Sequence, residues 1–260
     1  MKNRLVAKNK EHLINLIRKE IKIEGDNCDL NHIDVSQLKD LSYIFKNSKF
    51  NGDISQWNVS NVTYMVSIFE KSHFNGNISK WDVSSVESMY NMFSESKFNG
   101  DISQWNTSSV KTMSSMFIKS VFNGDISQWD VSNVENMSNM FKNSQFNTDI
   151  SKWNICKVTI MSFMFACSNF NRDISEWNVS NLKYVKGLFN RSKFDQDVSI
   201  WKPYSLETKW AFEDANLPIP YWALYDNKEK RKTAIDNYWL EKELSKDLSD
   251  NKVNEKKLKI

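Results

Sequence analysis

One interval governs this chain. Trp57, Trp81, Trp105, Trp129, Trp153, Trp177 and Trp201 follow one another at steps of 24 residues, with no insertion. Other columns keep the same phase. Phe50 to Phe194 forms one, Ile54 to Val198 another, Met65 to Val185 a third and Phe69 to Phe189 a fourth. The unit reads F-N-G-D-I-S-x-W-[ND]-V-S-x-V-x-x-M-x-x-M-F-x-x-S-x. A fixed period of roughly 20–50 residues is the mark of a repeat array, in which each unit buries its apolar side only against its neighbours. The unusual content of 10 Trp, 16 Phe and 10 Met is thereby assigned to architecture.

Each unit is read locally as a short strand, a short helix and a turn. In Gln56-Trp57-Asn58-Val59 the apolar residues alternate, which predicts a strand with Trp57 and Val59 inward. Val62, Met65, Ile68 and Phe69 share one helical face, and Ser60 is placed to cap that helix. Ser84-x-x-Glu87 and Ser132-x-x-Glu135 complete capping boxes, and Asn-Gly pairs such as Asn51-Gly52 supply the turn. The expected fold class is α/β: a leucine-rich-repeat-like solenoid of 24-residue strand–helix coils with a parallel sheet. At about 4.8 Å per parallel strand, seven or eight coils would make a rod roughly 35–40 Å long.

The ends differ from the middle. Residues 1–27 are expected to form an N-terminal cap built on an amphipathic helix from Lys10 to Ile23, stopped near Gly25. The solenoid is expected over 28–217, opening with a degenerate coil in which Ile33 replaces Trp. Leu206, Trp210 and Phe212 slip by about one residue, and Pro218 and Pro220 end the array because proline cannot continue a ladder. Residues 218–260 are expected to be a C-terminal helical cap and tail. There Trp222, Leu224, Tyr238, Trp239 and Leu240 would cover the last coil, with the final stretch frayed.

The stretch FNGDISQWNVSNVTYMVSIF, with its Trp-Asn/Asp-Val-Ser and Met-Phe core, resembles the BspA-like repeats of bacterial surface proteins, which also abound in mycoplasma lipoproteins. The resemblance covers about residues 28–217. It implies a non-enzymatic binding scaffold, often displayed on the cell surface for adhesion.

The remaining residues are read against other classes. A net charge of +3 exerts no strong pull towards nucleic acid or membrane. No apolar run reaches the roughly 18 residues of a membrane span, and the lysine-strewn N-terminus lacks the apolar core of a signal peptide. A cytoplasmic chain is therefore expected as encoded, with the cell surface as the alternative that the resemblance implies. Cys28, Cys156 and Cys167 make neither a disulfide framework nor a zinc set, and His12, His32 and His73 stand apart. No cofactor, metal site or catalytic residue is expected. The Asp column (Asp53, Asp101, Asp125, Asp149, Asp173, Asp197) could in principle share calcium, but reads better as turn-forming side chains.

A binding surface is expected on the outward side of the strands. Its candidates are Gln56, Asn58, Lys80, Asp82, Gln104, Asn106, Gln128, Asp130, Lys152, Asn154, Glu176 and Asn178. A hydrogen-bonded amide ladder or plain solvated surface competes with that reading. The expected partner is another protein, engaged either in adhesin-like surface binding or as an intracellular interaction or inhibitor protein of the immunity or anti-defence type.

Overall fold

The computed structural model describes residues 2–204, 211–225 and 227–257, the side chains of the last helix only as far as residue 246. Leu206 and Trp210, expected in the closing coil, lie outside the described residues. Helix α1 spans Lys10–Glu24. The Asn9 side chain caps it by accepting from the His12 N–H at 2.8 Å, and Gly25 ends it with a φ of 86°. Ahead of it, strand β1 (Leu5–Val6) pairs in parallel with β2 (Ile33–Asp34). The sequence reading had no strand at Leu5–Val6, because two residues carry no periodicity. Leu13 and Ile17 turn inward from α1 to join the core.

From Asp29 to Tyr184 successive repeats lie side by side, joined residue to residue at the 24-residue offset. Parallel bridges run Asp40↔Tyr64, Tyr64↔Ser88, Ser88↔Thr112, Thr112↔Asn136, Asn136↔Ile160 and Ile160↔Tyr184. Beside each bridge a row of N–H groups reaches the next repeat. Met65, Ser67, Phe69 and Lys71 donate to the carbonyls of Ser88, Tyr90, Met92 and Ser94 at 2.8–3.1 Å.

Within a repeat the local structure differs from the expected strand and helix. Among the described residues, neither a strand nor a bridge occurs at Gln56–Val59, and no helix at Ser60–Phe69. Consecutive turns take their place. Trp57 N–H bonds the Ile54 carbonyl, Val62 bonds Val59, Ile68 bonds Met65 and Ser72 bonds Phe69, each three residues back. A chain of such turns also brings a side chain inward every three or four residues, so it imitates helical periodicity. The inter-repeat bonds from alternate N–H groups exclude a helix, since an α-helix needs those donors for its own carbonyls four residues back. Two left-handed residues per repeat, such as Ser67 (φ 52°) and Lys71 (φ 53°), keep the turns from winding into one.

The core is a set of columns along the stack. Trp57, Trp81, Trp105, Trp129, Trp153, Trp177 and Trp201 are all buried. Trp57 and Trp81 stack at 6.4 Å between centroids, and Trp105 and Trp129 at 6.3 Å. Two phenylalanine columns interlock beside them, with Phe69 and Phe74 at 4.4 Å and Phe141 and Phe146 at 4.1 Å. Each indole N–H donates to the carbonyl 27 residues back, as Trp129 does to Ile102 at 3.0 Å and Trp153 to Ile126 at 3.0 Å. That bond removes the cost of burying the one polar atom of each Trp.

The last repeat is closed by a 3-10 turn (Tyr221–Leu224) and by helix α2, Lys228–Lys257. Trp222 lands on the tryptophan column despite its broken register. It stacks on Trp201 at 6.3 Å and donates to the Val198 carbonyl at 3.2 Å. Phe212 extends the phenylalanine column, 5.9 Å from Phe189, and Ile235 of α2 is fully buried. Leu224 and Leu240, expected to cover the last coil, are instead 66% and 55% exposed. The 3-10 turn and α2 bury Trp222, Arg231 and Ile235, and leave those leucines on the outer side.

Candidate functional site

The polar rows divide into those committed to the backbone and those that are free. Asp53, Asn77, Asp101, Asp125, Asp149, Asp173 and Asp197 each accept, through Oδ1, the N–H two residues on, at 2.7–3.0 Å. They are Asx turns, and Asn77 does the same work without a charge. The bonds favour the charged form: hydrogen bonds from Ser103 hold the pKa of Asp101 below the usual carboxylate range, and those from Ser151 do so for Asp149. Among the described residues, no three His, Cys, Asp or Glu side chains come together as a metal site.

The twelve candidates of the sequence reading are all exposed and run along the stack in two rows. They do not sit on strands; they sit on turns. Asn58, Asp82, Asn106, Asp130, Asn154 and Asn178 each accept the N–H two residues on, at 2.9–3.2 Å. The Ser84 and Ser132 hydroxyls hold the Asp82 and Asp130 carboxyls below their ordinary range. Ser60 and Ser84, read as helix caps, donate to Asn58 and Asp82 instead, at 2.7 and 2.6 Å. Capping and Asx-turn chemistry use the same short polar side chains, so the pattern alone did not separate them. In the neighbouring row Gln56, Gln104 and Gln128 donate to the adjacent serine hydroxyl at 3.1–3.3 Å. Lys80, Lys152 and Glu176 complete that row at the surface.

Two further committed rows escaped the sequence reading. The Asn side chain of each Asn-Gly turn, and of Asn147 at the matching position, accepts the backbone N–H of the next repeat, from Asn51–Asn75 at 2.7 Å to Asn147–Asn171 at 2.9 Å. The serines two residues before the inward Phe are buried from Ser72 to Ser192, and their hydroxyls accept the Phe N–H, as Ser72 does from Phe74 at 2.9 Å. Both rows repeat without variation in the sequence, which was the available signal.

The bridge and the turns after it behave otherwise. Equivalent bridge positions carry Asp40, Tyr64, Ser88, Thr112, Asn136, Ile160 and Tyr184, six residue types in seven repeats. Their neighbours differ as widely. Exposed aromatic side chains gather on this turn face: Tyr43, Tyr64, Tyr90 and Tyr184 each have between 41% and 51% of their surface in solvent. A shallow polar depression of about 380 Å³ borders the face, with Glu87 and Lys111 paired at 2.6 Å and Lys157 donating to Asn133 at 2.6 Å. The sequence reading passed over this face because it assigned Val62 to Phe69 to a helix.

Left-handed residues line the same face, and two at equivalent positions are aromatic, Tyr43 (φ 69°) and Phe163. Phe163 adopts φ 56° where other repeats place Ser67, Asn91, Ser115, Asn139 or Gly187. Its ring lies where a Cβ on Gly187 would stand, so the glycine makes room for the phenyl group one repeat earlier. Lys142 sets its ammonium 4.9 Å from the centroid of that ring.

Among the described residues no helix is long and apolar enough to cross a membrane. The family described as "Mycoplasma protein of unknown function, DUF285" matches residues 15–121 and 118–217 of the chain. No curated protein and no solved structure matches it.

Proposed function

We propose that this chain, which belongs to the Mycoplasma family of unknown function DUF285, is a non-enzymatic protein-binding scaffold. In this reading it is a leucine-rich-repeat-like solenoid of the BspA-like type, capped at both ends, and its turn face is the binding surface. The observation that carries the reading is the contrast between rows. Positions that build the coil keep one residue type and spend their polar atoms on backbone hydrogen bonds. The bridge positions and their neighbours change from repeat to repeat and expose tyrosines. Tyrosine offers a large, stiff contact area with a polar tip and is enriched in protein interfaces. Scattered histidines and the absence of a grouped metal-ligand set among the described residues favour binding over catalysis.

Site-specific photo-crosslinking in intact native cells tests this. A benzophenone side chain at Tyr90, on the turn face, should capture a discrete protein. The same group at Gln104, on the uniform row, should capture far less. Capture from Gln104 alone would move the site to the twelve-residue surface, and capture from neither would refute the scaffold reading. Protease treatment of the intact cells addresses the setting: loss of the chain agrees with surface display. Survival until lysis points to an intracellular interaction or inhibitor protein instead.

A further inference from the structure

The turn face is not electrostatically uniform. Over the first repeats, Lys39 apart, its cations are answered within the chain: Lys10 by Asp40 at 2.6 Å, Lys46 by Glu70 at 2.9 Å and Lys111 by Glu87 at 2.6 Å. Lys71 and Lys119 share Glu95 at 3.8 and 3.6 Å. Towards the other end Arg191 still pairs with Asp214 at 3.1 Å, but the lysines of this face have no such partner among the described residues. The turn segments 159–167 and 183–191 contain no acidic residue. Among the described residues, no carboxylate lies within 4.0 Å of Lys142, Lys183 or Lys186.

Apolar surface is interleaved with those ammonium groups. Ile160 and Tyr184 are bridge partners, so their side chains are neighbours along the stack, and Tyr184 is 48% exposed. Phe163 donates its N–H to the Lys186 carbonyl at 2.8 Å, which sets the two backbones side by side, while Lys142 of the preceding repeat stands over the phenyl ring. Phe163 keeps a left-handed backbone that a bulky side chain adopts rarely. Unanswered charge and half-exposed aromatic surface thus coincide over three adjacent repeats.

We propose that Lys142, Ile160, Phe163, Lys183, Tyr184 and Lys186 form the docking site for an acidic peptide segment of a partner protein, one that intersperses apolar side chains among its carboxylates. This inference rests on the reading of the chain as a protein-binding scaffold and names the chemistry of its partner. Carboxylates on the segment would supply the counter-charges that the chain withholds, and its apolar side chains would cover Ile160, Phe163 and Tyr184. The apolar surface interleaved with the three ammonium groups favours a peptide over nucleic acid, whose affinity rests chiefly on phosphate neutralisation.

The test is fluorescence anisotropy on the full chain with three labelled probes. One is a peptide of alternating Glu and Leu with a central Phe, the second its Lys-for-Glu counterpart, and the third an oligothymidine of matched charge. The Glu peptide should bind and the Lys peptide should not. Binding should weaken as salt rises from about 50 to 500 mM, because the Debye length shrinks. Lys183→Glu with Lys186→Glu should weaken the Glu peptide by roughly tenfold or more. Lys39→Glu, an exposed cation at the far end of the same face, should change it by less than about twofold. Should the double variant melt early, Lys183→Gln with Lys186→Gln replaces it and should still weaken binding.

Equal binding of the oligothymidine, or equal loss in Lys39→Glu, would overturn the proposal. So would failure of the Glu peptide to bind while the crosslinker at Tyr90 still captures a protein, an outcome that leaves the scaffold reading standing. Absence of a crosslink at Tyr90 together with retained, patch-dependent peptide binding would support the patch and place the contact at its end of the turn face rather than at Tyr90.

Discussion

Replacing Trp129 by alanine removes a side chain from the middle of the tryptophan column, and the structure sets the size of the effect. Trp129 is 3% exposed, stacks on Trp105 at 6.3 Å and donates to the Ile102 carbonyl at 3.0 Å. Three losses add. The buried indole forfeits its transfer free energy, about 2–3 kcal/mol. The neighbouring rings are held by their own columns and cannot collapse into the void, so a cavity term of about 24 cal/mol per Å³ applies to what remains empty. The Ile102 carbonyl is left without its donor, at about 1–3 kcal/mol unless water enters. Water entering the void would recover part of that last loss. A net destabilisation of about 3–5 kcal/mol is expected, within the usual range for Trp→Ala in a core. Trp129→Phe separates the terms: it keeps a ring in the column but silences the donor, and should cost about 1–3 kcal/mol. Urea unfolding followed by far-ultraviolet circular dichroism measures both, with the slope of the transition checked for unchanged cooperativity. A cost below about 1 kcal/mol for Trp129→Ala would refute the argument, since it would mean that the column is not what holds neighbouring repeats together.

Acid stability should depend on the Asx-turn carboxyls. Asp82, Asp101, Asp130 and Asp149 have pKa values lowered by hydrogen bonds from Ser84, Ser103, Ser132 and Ser151. Their contribution is therefore complete above the unfolded value, about 3.9, and is lost as pH falls through the folded values. Changing all four to Asn, as Asn77 already is, should keep the turns and flatten the drop in melting temperature below pH about 4; an unchanged drop would contradict this. Gly187→Ala should destabilise by about 1–2 kcal/mol, because it adds a Cβ at φ 59° and drives it into the Phe163 ring. Pairing it with Phe163→Ser should recover much of the loss in thermal melts, and additive losses would count against the contact. Asn99→Ala deletes the acceptor for the Asn123 N–H at 2.9 Å and should cost about 0.5–1.5 kcal/mol in urea unfolding. A neutral result would show that water replaces this partner freely.

Parts of this structure were open to reading in one dimension. Phe50, Ile54, Trp57, Val62, Met65 and Phe69 were placed inward by their recurrence, and all are buried. The first helix was legible because it is amphipathic and ends at Gly25. The path of the chain between inward residues was not. Asn58 and Ser60 have the side chains of a helix cap and also those of an Asx turn, and only the direction of the neighbouring N–H groups tells them apart. The candidate rows from Gln56 to Asn178 were found as exposed rows, but six of their members are bonded to their own backbone, which no spacing reveals. The turn face with Tyr64, Tyr90 and Tyr184 went unnoticed because its residues looked like the outer side of a helix.

The sequence by itself determined the period, the inward columns and the positions where the array begins and loses its register. These are local and repetitive properties, because a residue type that recurs at one phase must meet the same environment each time. Only the tertiary structure decided that the backbone N–H groups of Met65, Ser67, Phe69 and Lys71 turn to the next repeat rather than back into a helix. It likewise brought Trp222 onto a column from which its numbering excludes it, and gathered Lys142, Phe163 and Lys186 from three repeats into one patch. The physical reason is common to all three. Hydrogen bonds and ring contacts between repeats are made by groups some 24 residues apart, and their partners exist only once the neighbouring repeat has packed.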